Sequence, residues 1–124
     1  MSSILSLGYL RLQSPNLEAW GPFATDVLGL MPTAGPDDAA QYYRWDDYPY
    51  RLVLVPGDAP GIEAIGYEVG DETDLANVVA TLEDAGVKVE MGGADEAAAR
   101  LVSGFAKFED PAGVPIELFF GPIL

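Results

Sequence analysis

The chain has 124 residues, with 20 acidic against six basic side chains, a formal charge of −14, and neither cysteine nor histidine. Such acidity makes nucleic acid and anionic membrane surfaces poor partners, since both reward clustered Lys and Arg. The missing thiols and imidazoles remove disulfides, thiolate nucleophiles, imidazole bases and nearly every Zn, Cu or Fe site, leaving only an all-carboxylate Mg or Ca site open. With 49% apolar residues the chain suits one folded domain with a real core. No apolar stretch reaches bilayer length and Met1-Ser2-Ser3-Ile4 has no targeting character, so a cytoplasmic location is the default expectation.

Ile4 to Gln13 reads as a strand, with Leu10 and Leu12 on one side and Tyr9, Arg11 and Gln13 on the other. Ser14-Pro15 reads as an N-cap followed by Pro at the first helical position. Leu17, Trp20, Phe23, Ala24, Val27 and Leu28 then recur at helical spacing up to a Gly29 cap, and Gly21-Pro22 predicts a kink. Thr33 to Asp38 is a turn-rich link. Ala40 to Trp45 alternates as a strand and Arg51 to Val55 is the next, close enough to form a hairpin.

Gly57 to Gly61 is a Pro/Gly-rich connector, after which the order repeats. Ile62 to Val69 is a strand. Thr73 is placed to cap a helix whose Leu75, Val78, Val79, Leu82 and Ala85 form one apolar face, ended by Gly86. Val87 to Met91 is a short strand, Asp95 to Leu101 a helical turn or two, and Gly104 to Phe108 and Ile116 to Phe120 are the last strands. Arg51–Gly57 parallels Pro115–Gly121 at an offset of 64, and Leu10 and Leu12 match Ile65 and Tyr67 at an offset of 55. The chain is therefore read as α+β: two β-α-β-β-β modules, residues 1–57 and 61–124 of a single domain, forming a curved mixed sheet with helices outside.

In the last strand Ile116, Leu118 and Phe120 alternate with Glu117 and Phe119. The lone carboxylate is either solvated on an edge strand or turned inward. Ahead of it, Asp110-Pro111-Ala112-Gly113 is a turn with Gly113 able to take positive φ.

The segment Asp110-Pro111-Ala112-Gly113-Val114-Pro115-Ile116-Glu117-Leu118 resembles the closing motif of the vicinal-oxygen-chelate superfamily. Leu7-Gly8-Tyr9-Leu10-Arg11-Leu12, Pro15 to Trp20, Val27-Leu28-Gly29-Leu30 and Ile65-Gly66-Tyr67-Glu68-Val69 extend the likeness over nearly the whole chain, most of all to the amino-terminal domain of type I extradiol ring-cleavage dioxygenases. The resemblance implies a cup-shaped sheet whose inner face carries one metal-ligand position on the first and last strand of each module. Those positions fall on Tyr9, Val53, Ala64 and Glu117, of which only Glu117 keeps a ligand-type side chain. A phenol of pKa ~10 is a poor ligand at neutral pH. The resemblance thus implies no metal and no catalytic residue in this chain, with Fe(II) expected only in a second, carboxy-terminal domain, and it places Leu124 where a linker to that domain would begin.

The function so implied is a structural or assembly role in a catechol- or dihydroxybiphenyl-type dioxygenase of aromatic catabolism, inactive alone. Its partner would be a second homologous domain or a homo-oligomer. The alternative is a stand-alone dimer that binds a small molecule, such as an aromatic one, resembling bleomycin-resistance proteins. A glyoxalase- or epimerase-like metal enzyme is disfavoured by the missing His. Tyr9, Tyr43, Trp45, Glu117 and Phe119 are the candidate ligand or interface residues. Asp37-Asp38 and Asp46-Asp47 read as solvated turn acids, and Trp20 as core.

Overall fold

A computed structural model describes residues 4–123; the reading of Met1-Ser2-Ser3 and of Leu124 lies outside them. Eight strands form a single mixed sheet. In chain order they are β1 (Ile4–Ser14), β2 (Met31–Thr33), β3 (Gln41–Arg44), β4 (Leu52–Pro56), β5 (Gly61–Val69), β6 (Glu90–Met91), β7 (Val102–Glu109) and β8 (Pro115–Pro122). The helices are α1 (Leu17–Pro22), α2 (Glu72–Asp84) and α3 (Ala94–Ala99). Strand order across the sheet is β2-β3-β4-β1-β5-β8-β7-β6. This is the curved α+β sheet of two β-α-β-β-β units that the sequence predicts, with the short β2 lying just ahead of the Thr33 to Asp38 link.

The repeat is visible in the pairing register. β1 runs parallel to β4 with Leu10 opposite Leu52, and β5 runs parallel to β8 with Ile65 opposite Ile116, which reproduces the offsets of 55 and 64. The two halves meet where β1 and β5 pair antiparallel, Leu10 opposite Ile65. Tyr9 opposite Gly66 and Arg11 opposite Ala64 are related by the same offset, as are the extra residues Gly8 and Glu63 at the two bulges flanking this centre. A pseudo-twofold axis therefore passes between Leu10 and Ile65.

Each face of the sheet has its own core. On the outer face α1 covers the first half, where Ala24, Tyr43, Leu52 and Leu54 are buried with Leu10, Leu12, Leu17 and Trp20 against them. The second half buries Val69, Leu75, Ala106, Ile116 and Leu118 under α2. The concave face holds Tyr9, Tyr42, Tyr50, Val53, Phe105 and Phe119, closed over by Ala97 of α3.

Two helix starts differ from the sequence reading. Asn16, not Ser14, caps α1 and accepts from the Ala19 amide at 3.2 Å, while Ser14 accepts from the Asn16 amide at 3.0 Å. Asp71, not Thr73, caps α2 and accepts from the Asp74 amide at 2.8 Å. In both cases an Asx residue occupies the position just before the first helical turn, where its carboxyl or amide oxygen reaches the free amide three residues on. After Pro22, which has no N–H to donate, the chain continues as a π-helical turn over Phe23–Val27, with Leu28 N–H donating to Phe23 O at 3.0 Å. The wider turn rotates Phe23, Val27 and Leu28 into solvent, at 44%, 69% and 49% exposure, so the apolar face predicted there is only partly used.

Candidate functional site

The concave face is where the superfamily resemblance places chemistry. Tyr9, Val53, Ala64 and Glu117 do share it. Arg11 stands opposite both Val53 and Ala64, and Gly66 opposite both Tyr9 and Glu117, so all six point to the same side. β8 is interior to the sheet and Glu117 is buried, which excludes a solvated edge carboxylate.

Glu117 is held by two side chains through three hydrogen bonds. The Arg100 guanidinium binds it in a fork, Nε donating to Oε1 at 2.6 Å and Nη2 to Oε2 at 2.8 Å. The Tyr9 hydroxyl donates to Oε1. Gly66 makes this possible, because a Cβ there would lie 2.4 Å from Tyr9 Cζ. Arg100 is itself fixed: its Nη1 donates to Glu96 O at 3.1 Å, its carbonyl accepts from the Tyr50 hydroxyl at 2.5 Å, and its guanidinium lies 4.5 Å above the Phe105 ring. Tyr9 stacks on Phe119 at 5.1 Å and packs against Tyr50 at 5.7 Å. Arg100 arrives at the end of α3, and the next residue, Leu101, turns the chain into β7 with a left-handed φ of 55°.

The electrostatics follow from burial. Burial raises the Tyr9 phenol well above its ordinary range, and the Glu117 charge and the hydrogen bond to it push the same way. Burial works against the Arg100 charge, but the hydrogen bonds and charge of Glu117 outweigh it and shift the guanidinium upward. Tyr50 is raised as well, first by burial. The constellation is thus a protonated phenol beside a buried, mutually compensated ion pair.

As a cation site it does not fit. Val53 and Ala64 offer no donor atom, Tyr9 is held protonated, and both Glu117 oxygens are engaged by one guanidinium. Among the described residues no group of three or more His, Cys, Asp or Glu is arranged around a metal-sized point. Nor is the face an open cup. The space between Tyr9, Tyr48, Tyr50, Arg100 and Phe119 is about 10 Å³, no more than one water requires.

Of the other candidate residues, Phe119 is buried in the cup. Tyr43 lies on the opposite face, buried against Ala24, Leu52 and Leu54, with its hydroxyl donating to Gln41 at 2.9 Å. It therefore does not line the cup with Tyr9. Trp45 is 58% exposed at the rim, beside Leu7, Asp46 and Arg51. Trp20, on α1 itself, is half-buried against the outer-face core. Asp46 is not a merely solvated turn acid, since Arg51 pairs with it at 2.8 Å and holds its carboxyl below the usual range.

Arg100 is the member that sequence reasoning missed. The signal was a demand rather than a motif: an inward Glu in a chain with six basic residues needs one of them. Arg11 is the second buried cation of this face. Its Nε donates to Glu63 at 3.0 Å, and its Nη1 has no partner among the described residues.

Comparison with known proteins finds relatives over the whole of this fold. Residues 7–57 match the family model described as "Dihydroxybiphenyl dioxygenase BphC D1". The chain is 36% identical over 122 residues to the 1,2-dihydroxynaphthalene dioxygenase of Sphingobium xenophagum, and 37% identical to the iron-dependent extradiol dioxygenase of Rhodococcus jostii (strain RHA1). Each alignment takes in 98% of this chain and 41% of the relative. The crystal structure of a catechol 2,3-dioxygenase superposes on the whole chain with a TM-score of 0.92 at 33% identity, again over 41% of its own length. Over its whole length the chain resembles the vicinal-oxygen-chelate superfamily. Within it the likeness is to the amino-terminal domain of extradiol dioxygenases, and the chain spans about two fifths of the length of the relatives it matches. Of the four metal-ligand positions that the resemblance implies, Tyr9, Val53 and Ala64 carry no ligand-type side chain.

Proposed function

We propose that this chain is a metal-free domain of the amino-terminal extradiol dioxygenase type, which contributes structure and assembly to a cytoplasmic enzyme of aromatic catabolism and turns over no substrate alone. The observation that carries the reading is the capture of Glu117 by Arg100 and Tyr9. It fills the concave face with internal contacts and leaves no acceptor for a cation. A second homologous domain would supply the iron and the ring cleavage of a catechol- or dihydroxybiphenyl-type diol. The filled cup also argues against the bleomycin-resistance type of sequestration, which needs an open apolar groove.

The test is anaerobic Fe(II) loading of the purified chain, followed by oxygenated assay with catechol and 2,3-dihydroxybiphenyl. Iron well below one equivalent and no yellow ring-cleavage product are expected. Stoichiometric iron, or product above the iron-only blank, refutes the reading.

A further inference from the structure

Four of the six tyrosines meet at the concave face. Tyr9, Tyr42 and Tyr50 are buried in its core, with ring centroids 5.7 Å apart from Tyr9 to Tyr50 and 5.3 Å apart from Tyr50 to Tyr42. Tyr48 is half-buried at the rim and faces the same water-sized space as Tyr9 and Tyr50. At the other end Tyr42 borders an open groove with Asp37 and Asp38. The four rings therefore run without a break from that groove, through the core, to the rim. The remaining two, Tyr43 and Tyr67, pack in the outer-face clusters.

The four phenols differ in where their protons go. Tyr9 donates to Glu117, whose two oxygens are already held by the Arg100 guanidinium, which makes that carboxylate a poor base. Tyr50 donates to the Arg100 carbonyl, which is not a base. Tyr42 accepts from the Asp37 amide at 3.2 Å. Tyr48 donates to Glu68 Oε1 at 2.5 Å, and Glu68 has no ion-pair partner among the described residues. The hydrogen bond to Glu68 raises the Tyr48 phenol above its ordinary range, and burial adds to it. The Arg51 guanidinium lies 3.5 Å above the Tyr48 ring, but Asp46 pairs with it at 2.8 Å and offsets its charge. A phenol gives up an electron readily only when its hydroxyl proton leaves too, because the phenol radical cation is a very strong acid. A base serves that step only from hydrogen-bond distance. Of the four, Tyr48 alone has a carboxylate at that distance that no cation holds.

We propose that Tyr42, Tyr50, Tyr9 and Tyr48 form a relay for oxidising equivalents, with Tyr48 as its proton-coupled end and Glu68 as the proton acceptor. A strong one-electron oxidant, such as a high-valent metal complex, takes an electron from one ring of the chain. An electron from Tyr48 refills that ring by way of its neighbours. The Tyr48 O–H bond breaks and its proton passes to Glu68 Oε1. The products are the oxidant reduced by one electron, a neutral Tyr48 phenoxyl radical and a neutral Glu68 carboxyl. A one-electron reductant in solution, such as ascorbate, then returns the electron at the half-buried rim, and Glu68 returns the proton. The relay thus moves an oxidation out of the packed core to a place where solvent repairs it.

The chain has no cysteine, so Asp38→Cys supplies a single thiol beside Tyr42 for attaching a ruthenium polypyridyl photo-oxidant. Flash oxidation of the labelled chain with a sacrificial electron acceptor, read by transient absorption and electron paramagnetic resonance, is expected to yield a phenoxyl radical. Its formation should slow in D₂O. In the same labelled background Tyr48→Phe, Glu68→Gln and Tyr50→Phe should each lower the radical yield several-fold. Tyr43→Phe, next to Tyr42 in sequence but on the outer face, should leave it unchanged. A labelled parent without a phenoxyl signal overturns the proposal. So does a yield that Tyr48→Phe, Glu68→Gln or Tyr50→Phe leaves as it was, or one that Tyr43→Phe lowers equally. Variants are compared only where the circular dichroism spectrum is unchanged, and if Tyr50→Phe loses it, Tyr48→Phe and Glu68→Gln at the rim decide. None of these outcomes bears on iron loading, so the two readings fail separately.

Discussion

Arg100 and Glu117 are worth more as a pair than either is alone. Both charges are buried, and removing one leaves the other without a counter-charge in a low-dielectric site. Arg100→Met and Glu117→Gln are each expected to lose roughly 3–5 kcal/mol of unfolding free energy, the usual consequence of breaking a buried pair. The double variant should lose clearly less than the two singles together, because it removes both charges and keeps an acceptor for the Tyr9 hydroxyl. Urea unfolding of all four proteins gives the coupling, and additive losses would show that the pair is not a unit. The phenols make an opposite-sign demand on pH. Tyr9 and Tyr50 have folded-state values raised above the unfolded ~10, so their stabilising contribution is complete below about pH 10 and is lost as pH rises through the folded values. A melting temperature that is level from neutral pH to about 9 and falls beyond 10 is expected, with a shallower fall in Tyr50→Phe.

At the scale of elements, the caps decide where helices begin. Asp71 accepts from the Asp74 amide, and with Glu72 and Asp74 it puts negative charge at the positive end of α2. Asp71→Ala is expected to cost about 1 kcal/mol, and Thr73→Ala only a few tenths of that, by chemical denaturation. Equal losses would mean that α2 starts at Thr73 after all. In the turn before β8, Asp110 Oδ1 accepts from the amides of Ala112 and Val114 at 2.8 and 2.9 Å while Gly113 takes φ of 85°. This turn sets the register that lays Glu117 beside Lys107 of β7 and Gly66 of β5. α3 is only six residues long, yet it carries Arg100 to the cup, and Glu96 near its start binds Lys107 at 3.0 Å. Short irregular pieces thus position the one buried ion pair that spans α3 and β8.

For the whole molecule, the two halves share one concave core and are joined by the β1–β5 ladder. Tyr9, Tyr50 and Val53 from the first half pack with Val102, Phe105 and Phe119 from the second. Neither half can keep its concave face buried without the other, so unfolding should be one cooperative step. Both tryptophans, Trp20 and Trp45, report on the first half, while far-ultraviolet dichroism is dominated by α2 of the second. The two signals are expected to give coincident urea midpoints, and separated midpoints would show that the modules unfold independently.

Period-two alternation, helical spacing and the Gly/Pro punctuation order the elements apart from the three-residue β2, and the repeat of Leu52-Val53-Leu54 in Ile116-Glu117-Leu118 pairs the halves. The lack of any imidazole at Tyr9, Val53 or Ala64 was legible too, since it needs only identity and position. Local patterns of this kind say which residues share a face, but not which face turns inward. The tertiary structure therefore decided that Tyr43 lies under α1 rather than in the cup, that Phe23, Val27 and Leu28 rotate outward past Pro22, and that Arg100 rather than another base meets Glu117. The reason is physical: a buried charge takes whichever opposite charge the packing of distant segments delivers, and no local periodicity encodes that delivery.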